Sequence, residues 1–271
     1  MHERIHAEAL AEAIGTYCLV FVGAAVICTD AYSAGSIGVL GVALAHGLVL
    51  AAIVTALGHV SGAHVNPAVT LGVLLVGEIR PARAAVYVAS QLLGAAAAGL
   101  TLLVVFGTDV WDPVALGTPQ LGIGVAPGTA ILVEAVLSFV LVLTVLHAAV
   151  DHRAPEGVYG IAIGAALAAG ILVGGPITGA ALNPARAFGP AFAAAAWQSQ
   201  YVYWIGPAAG AAVAALAFSA MRDVEELSAE DLFAAVLEER DEALEEAERL
   251  SAEARSRLRV VEDEDEAEDD V

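Results

Sequence analysis

Ser61-Gly62-Ala63-His64-Val65-Asn66-Pro67-Ala68-Val69-Thr70-Leu71-Gly72 returns later in the chain as Thr178-Gly179-Ala180-Ala181-Leu182-Asn183-Pro184-Ala185-Arg186-Ala187-Phe188-Gly189. Six of the twelve positions are identical, both Asn-Pro-Ala triplets among them. Each copy runs from a glycine-marked turn into a short apolar stretch. Pro67 and Pro184 fall where a first helical residue belongs, since proline lacks the N–H that would go unpaired there. Asn66 and Asn183 then occupy the N-cap position, which asparagine favours. The apolar continuations, 68–76 and 185–196, are shorter than the roughly 20 residues a bilayer crossing needs. They are predicted to be half-helices.

Outward from the two phrases the repetition widens. Glu12-Ala13-Ile14-Gly15-Thr16-Tyr17-Cys18-Leu19-Val20 is answered by Glu134-Ala135-Val136-Leu137-Ser138-Phe139-Val140-Leu141-Val142. Tyr87-x3-Gln91-x2-Gly94 is answered by Tyr203-x3-Pro207-x2-Gly210. Six apolar runs are long enough to span: 7–29, 37–57, 84–106, 129–150, 157–173 and 201–221. The first lacks a small-residue cleavage pattern, so it is expected to stay as a span. Each repeat thus holds three spans and one half-helix. An odd number of spans turns the second repeat upside down, and the half-helices must enter from opposite faces. The predicted fold is all-α and membrane-embedded, with six transmembrane helices and two re-entrant half-helices in two inverted three-span repeats. The predicted domains are a channel domain over 1–222 (repeats of about 1–115 and 125–222) and an acidic tail over 223–271.

Composition agrees. Of 271 residues 59% are hydrophobic and 15% charged, against about 25% charged in soluble domains, and mean hydropathy is +0.76. The net charge of −20 is uneven: residues 222–271 carry 21 acids and 6 arginines. That pattern excludes a nucleic-acid binder. The chain has no lysine; a very salty (halophilic) cytoplasm and a GC-rich genome would each produce that bias. Arg4, Arg80, Arg83, Arg153 and Arg222 flank one side of the spans, which by the positive-inside rule puts both termini in the cytoplasm. Cys18 and Cys28 share one apolar stretch and read as small core residues, with no metal site or disulfide framework. In the tail, Leu227, Phe233, Val236, Leu237, Leu244, Leu250 and Leu258 make a broken apolar stripe, after a capping-box-like start at Ser228, and residues 262–270 are nearly all acid. The tail reads either as a solvated helix with a disordered end or as a helix associating across subunits.

The doubled Asn-Pro-Ala phrase, over roughly residues 5–222, resembles the aquaporin (major intrinsic protein) family. That resemblance implies a passive water channel in the cell membrane, assembled as a homotetramer with one pore per subunit and surrounded by lipid. Asn66, Pro67 and Ala68 would meet Asn183, Pro184 and Ala185 at the pore centre. There the asparagine amides and the half-helix N-termini offer donors and positive potential, so protons and cations are opposed. Arg186 is the one basic residue at membrane depth, a functional hypothesis by default. By resemblance it forms a selectivity filter with His46, Ile171 and Ala180. His46 and Ile171 depart from strict water channels, and the set resembles plant vacuolar-membrane aquaporins, which extends the expected cargo to ammonia and other small neutral solutes. His46 and Arg186 are both expected to donate to such a solute. Glu12 and Glu134 resemble family glutamates that brace the two loops, which fits the need of irregular backbone at membrane depth for internal partners. His59 and His64 flank the first loop and fit either a vestibule or loop packing.

Ala187 follows Arg186 where glycerol-conducting relatives carry Asp, and Ala191, Tyr203 and Trp204 also look like the water-channel branch. A small-solute facilitator with water as minor cargo, an ion-coupled secondary transporter and a non-conducting scaffold are the rival readings. No catalytic residue, cofactor or metal is expected, and Gly122-x-Gly124-x3-Gly128 lacks the strand that a phosphate-cradling motif needs.

Overall fold

Apolar runs with no polar face bury nothing by folding in water; in a bilayer they form helices because every backbone group must be satisfied internally. A computed structural model describes residues 2–155 and 157–222 and, of the tail, twelve positions between 233 and 251. The predicted capping box at 228–231 and the acidic end at 262–270 lie outside the described residues. Among the described residues there is no strand.

The helices are α1 (His2–Tyr32), α2 (Gly38–Ser61), half-helix α3 (Pro67–Leu75), α4 (Pro81–Val105), the short α5 (Thr108–Trp111), α6 (Pro127–Val145), α7 (Tyr159–Thr178), half-helix α8 (Pro184–Ala194) and α9 (Val202–Arg222). A 3-10 turn (Asp112–Gly117) follows α5, and a π-helical turn (Leu146–Val150) extends α6. Among the described residues, six helices are long and apolar enough to cross a membrane. The chain is a multi-pass membrane protein of the expected all-α class.

Helix ends follow local chemistry. Asn66 caps α3 with its Oδ1 accepting from the Ala68 N–H at 2.8 Å. Asn183 caps α8, accepting from Ala185 and Arg186 at 3.0 and 3.2 Å. Asp30 accepts from the Ile37 and Gly38 N–H groups ahead of α2. Between α6 and α7, Arg153 donates to Asp151 at 2.6 and 2.8 Å, which holds that carboxyl below the usual carboxylate range.

Bilayer-embedded helices associate through close packing rather than water exclusion. α1 packs on α4, α2 on α7, and α8 on α4. A Cβ on Gly94 would collide with the Ala13 carbonyl, and one on Gly210 with the Ala135 carbonyl. These are the same contact in the two repeats. The outer surface of the spans is apolar, with Leu48, Leu93, Val104, Ile161 and Leu216 among its exposed side chains.

The chain divides into two compact units, Met1–Ser219 and Ala220–Val271. In the second, the described positions from Phe233 to Ser251 are helical, and Phe233, Val236, Leu244 and Leu250 are exposed.

Candidate functional site

The two phrases fold into the same shape. Gly62 (φ 86°) ends α2 and Gly179 (φ 80°) ends α7 in the left-handed region that glycine tolerates. Four non-glycine residues then share that region: Ala63 (φ 47°) and Val65 (φ 42°), Ala180 (φ 45°) and Leu182 (φ 51°). Each costs on the order of 1–3 kcal/mol and persists only where its surroundings dictate it.

Two buried carboxylates do the dictating. Glu12 accepts from the His64 and Val65 N–H groups at 2.9 and 2.7 Å and from Ser61 Oγ at 2.7 Å. Glu134 accepts from the Ala181 and Leu182 N–H groups at 3.0 and 2.8 Å and from Thr178 Oγ1 at 2.7 Å. Ser61 and Thr178 each accept in turn from the N–H two residues on. The Tyr87 hydroxyl donates to the Ser61 carbonyl and the Tyr203 hydroxyl to the Thr178 carbonyl, at 2.8 and 2.7 Å.

The loops also hold each other. Asn66 Nδ2 donates to the Leu182 carbonyl and Asn183 Nδ2 to the Val65 carbonyl, both at 2.9 Å. With the amide oxygen used as helix cap, each asparagine is fixed at both ends. One amide hydrogen of each is left over.

Both asparagines lie on the wall of a cavity with His46, His64 and Arg186 as its other polar side chains and residues such as Leu19, Val54, Val69, Leu141 and Ile163 between them. It offers about 30 Å³ to water-sized molecules. One water needs roughly 10–15 Å³ on that measure, so only a short file of waters fits. His64 Nδ1 sits 3.2 Å from Thr70 Oγ1. His59 is exposed and stands off the wall.

Arg186, 3% exposed, is clamped on two sides. Its Nη1 donates to the Gly117 carbonyl at 2.9 Å, delivered by a turn in which Ala115 and Leu116 are left-handed. Its Nε donates to His46 Nε2 at 3.3 Å. His46 Nδ1 lies 2.8 Å from the Val42 carbonyl, an acceptor only, so Nδ1 carries the proton and Nε2 is free to accept. The neutral ring therefore has no donor left for a solute. This corrects the expectation of two donors: His46 orients Arg186, and Arg186 alone donates. Ile171 and Ala180 are buried but off the cavity wall. The left-handed backbone at Ala180 sends its methyl toward Gly174 instead.

Residues 2–218 match the family described as Major intrinsic protein. The chain belongs to the major intrinsic protein family. It is 43% identical over 218 residues to "Aquaporin TIP4-4" of Zea mays, covering 78% of this chain and 85% of that one. Against "Aquaporin NIP1-2" of Oryza sativa subsp. japonica identity is 36% over 217 residues, covering 79% and 71%. The aquaglyceroporin from Plasmodium falciparum, solved by X-ray, superposes with a TM-score of 0.67 at 22% identity, over 78% of this chain and 94% of that one. That likeness supports the major intrinsic protein fold alone.

Several parts of this major intrinsic protein's site escaped the sequence reading. Ser61 and Thr178 open the two phrases without any sequence signal of a bracing role; Tyr87 stands out only as a repeat partner, and Tyr203 as a repeat partner and a mark of the water-channel branch. Gln91 completes the first brace, its Nε2 donating to Glu12 at 2.7 Å and to Thr70 at 3.0 Å. Its counterpart Pro207 has no such donor. The Gly117 carbonyl left no signal, because backbone groups carry no residue-type signature.

Proposed function

We infer that the protein is a passive channel for water that excludes protons and ions. The observation that carries this reading is the pair of doubly fixed asparagines, Asn66 and Asn183, on one narrow wall. Each turns one remaining N–H toward the file, and the N-termini of α3 and α8 add positive potential at that level. A water accepting from both cannot relay a proton, and a cation meets like charge. Arg186, held by His46 and Gly117, gives a second cationic barrier. Ile171 and Ala180 belong to this filter through the family resemblance, with Pro67, Ala68, Pro184 and Ala185 shaping the half-helix starts around the asparagines. Glu12 and Glu134 act as structural braces, and His64 as a vestibule residue.

Ammonia and other small neutral solutes form the second cargo, drawn by the Arg186 donors. A facilitator with water as minor cargo is the alternative. The protein works without cofactor, metal or covalent chemistry. It sits in the cell membrane as a homotetramer with both termini cytoplasmic, residues 1–222 forming the channel domain and 223–271 an appended tail. Stopped-flow light scattering on proteoliposomes tests the reading: water flux far above empty liposomes is expected, with ammonia flux above the lipid background and no proton conductance. Proton-coupled uptake of any solute would overturn it.

A further inference from the structure

Between α5 and α6 the chain makes a turn that its own residues do not favour. Ala115 (φ 46°, ψ 46°), Leu116 (φ 55°, ψ 29°) and Gly117 (φ 75°) are left-handed in succession. That region is unfavourable for a residue with a Cβ; glycine, and less often asparagine or aspartate, visits it routinely. The Thr118 N–H closes the turn on the Ala115 carbonyl at 2.9 Å. One backbone hydrogen bond does not account for two strained residues, and such a backbone persists only where its surroundings over-determine it.

Leu116 supplies that determination. Its side chain is fully buried in a cluster with Ala24 and Cys28 of α1 and Leu102 of α4. Gly117 lies against α1: a Cβ there would stand 2.8 Å from the Ala24 carbonyl oxygen and 2.9 Å from its Cα. The turn therefore fits only with Leu116 in its slot and no side chain at 117. In that position the Gly117 carbonyl accepts from Arg186 Nη1 at 2.9 Å. The strained loops before Asn66 and Asn183 are held by the carboxylates of Glu12 and Glu134. Here, among the described residues, Arg186 is the only side chain that hydrogen-bonds the turn. The packing of one leucine stands where a glutamate stands in the other two.

We propose that Leu116 is a positioning residue of the filter: anchored between α1 and α4, it holds the left-handed turn that aims the Gly117 carbonyl at Arg186. This rests on the reading of Arg186 as the filter's donor, because Leu116 lines no part of the cavity and reaches a solute only through the arginine. When the anchor is cut back, the backbone leaves the left-handed region and the carbonyl turns away. The guanidinium then loses one of its two clamps, and the opening admits solutes wider than water.

The test measures urea and water flux in proteoliposomes of the full chain and compares their ratio. Leu116→Ala is expected to raise the urea-to-water ratio by about tenfold, the order set by one hydrogen bond from a charged donor. Leu116→Met conserves the volume in the slot and should keep the wild-type ratio. Leu116→Val is shorter and, being β-branched, tolerates the left-handed region less. It should raise the ratio above that of Leu116→Met, and it replaces Leu116→Ala if that protein does not fold. Gly117→Ala pushes the same carbonyl away from the α1 side and should match Leu116→Ala. A folded Leu116→Ala or Leu116→Val protein with the wild-type ratio overturns the proposal. So does a Leu116→Met protein whose ratio rises as far as that of Leu116→Ala, since the effect would then not follow the slot. Wild-type liposomes without water flux above empty ones overturn the channel reading and this proposal together; normal water flux with unmoved ratios overturns this proposal alone.

Discussion

Gly23 never touches the cavity, yet it governs the residue that holds the filter arginine. A Cβ there would overlap the His46 ring. Gly23→Ala is therefore expected to push His46 off the Val42 carbonyl and release Arg186 Nε. Losing a hydrogen bond from a charged donor costs about 1.5–3 kcal/mol in the arginine's placement. The readout is the ratio of urea to water flux in proteoliposomes, which should rise; an unchanged ratio means that His46 does not set the arginine. His46→Phe removes the same acceptor and narrows the opening, so ammonia flux should fall more than water flux. Mercury should block the native protein poorly. Cys28 is fully buried among Ala24, Leu102 and Leu116, and neither cysteine is on the cavity wall. Strong thiol-reversible block would contradict that geometry.

At the scale of elements, two carboxylates replace the hydrogen bonds that two irregular loops cannot make for themselves. A glutamine at either position keeps the shape but turns an NH2 group against backbone N–H donors. Glu12→Gln and Glu134→Gln should each lower stability by about 3 kcal/mol or more, read as the loss of folded protein in detergent on heating. Gln91→Leu removes one donor from Glu12 and should cost less, about 1.5–3 kcal/mol. The asparagine caps, both half-helices and all six spans were legible, because apolar runs and Pro-preceding caps are local signals. Helix length was less so. Gly174, Gly175 and Pro176 suggest an end to the fifth span near 173, yet α7 continues to Thr178. Proline in a packed membrane helix is tolerated when neighbours satisfy the freed groups, and only the longer helix brings Thr178 to Glu134. In the filter that the resemblance suggests, the chemistry was not legible: which nitrogen of His46 carries a proton depends on the Val42 carbonyl, one helical turn away.

At the scale of the whole molecule, deleting residues 223–271 should leave water flux per inserted channel unchanged within about twofold, an effect below roughly 0.5 kcal/mol, as for surface changes away from any packed feature. A large loss would assign the tail to gating or assembly. A mass matching four copies in mild detergent is expected. Permeability from a species of monomer mass would refute that stoichiometry. The reciprocal amide bonds, Asn66 to Leu182 and Asn183 to Val65, join residues 116 and 118 positions apart, and this bears on how the molecule is made. Synthesis runs from the N-terminus at roughly 5–20 residues per second, so the first loop waits several seconds for its partner to be polymerised. Until then the Val65 carbonyl and the Asn66 amide have no mate at membrane depth. A ribosome stalled midway leaves three spans around an unfinished aperture, and no product that ends before Asn183 can close it. The first half of the protein is thus a nascent chain whose last hydrogen bonds are supplied by residues not yet translated.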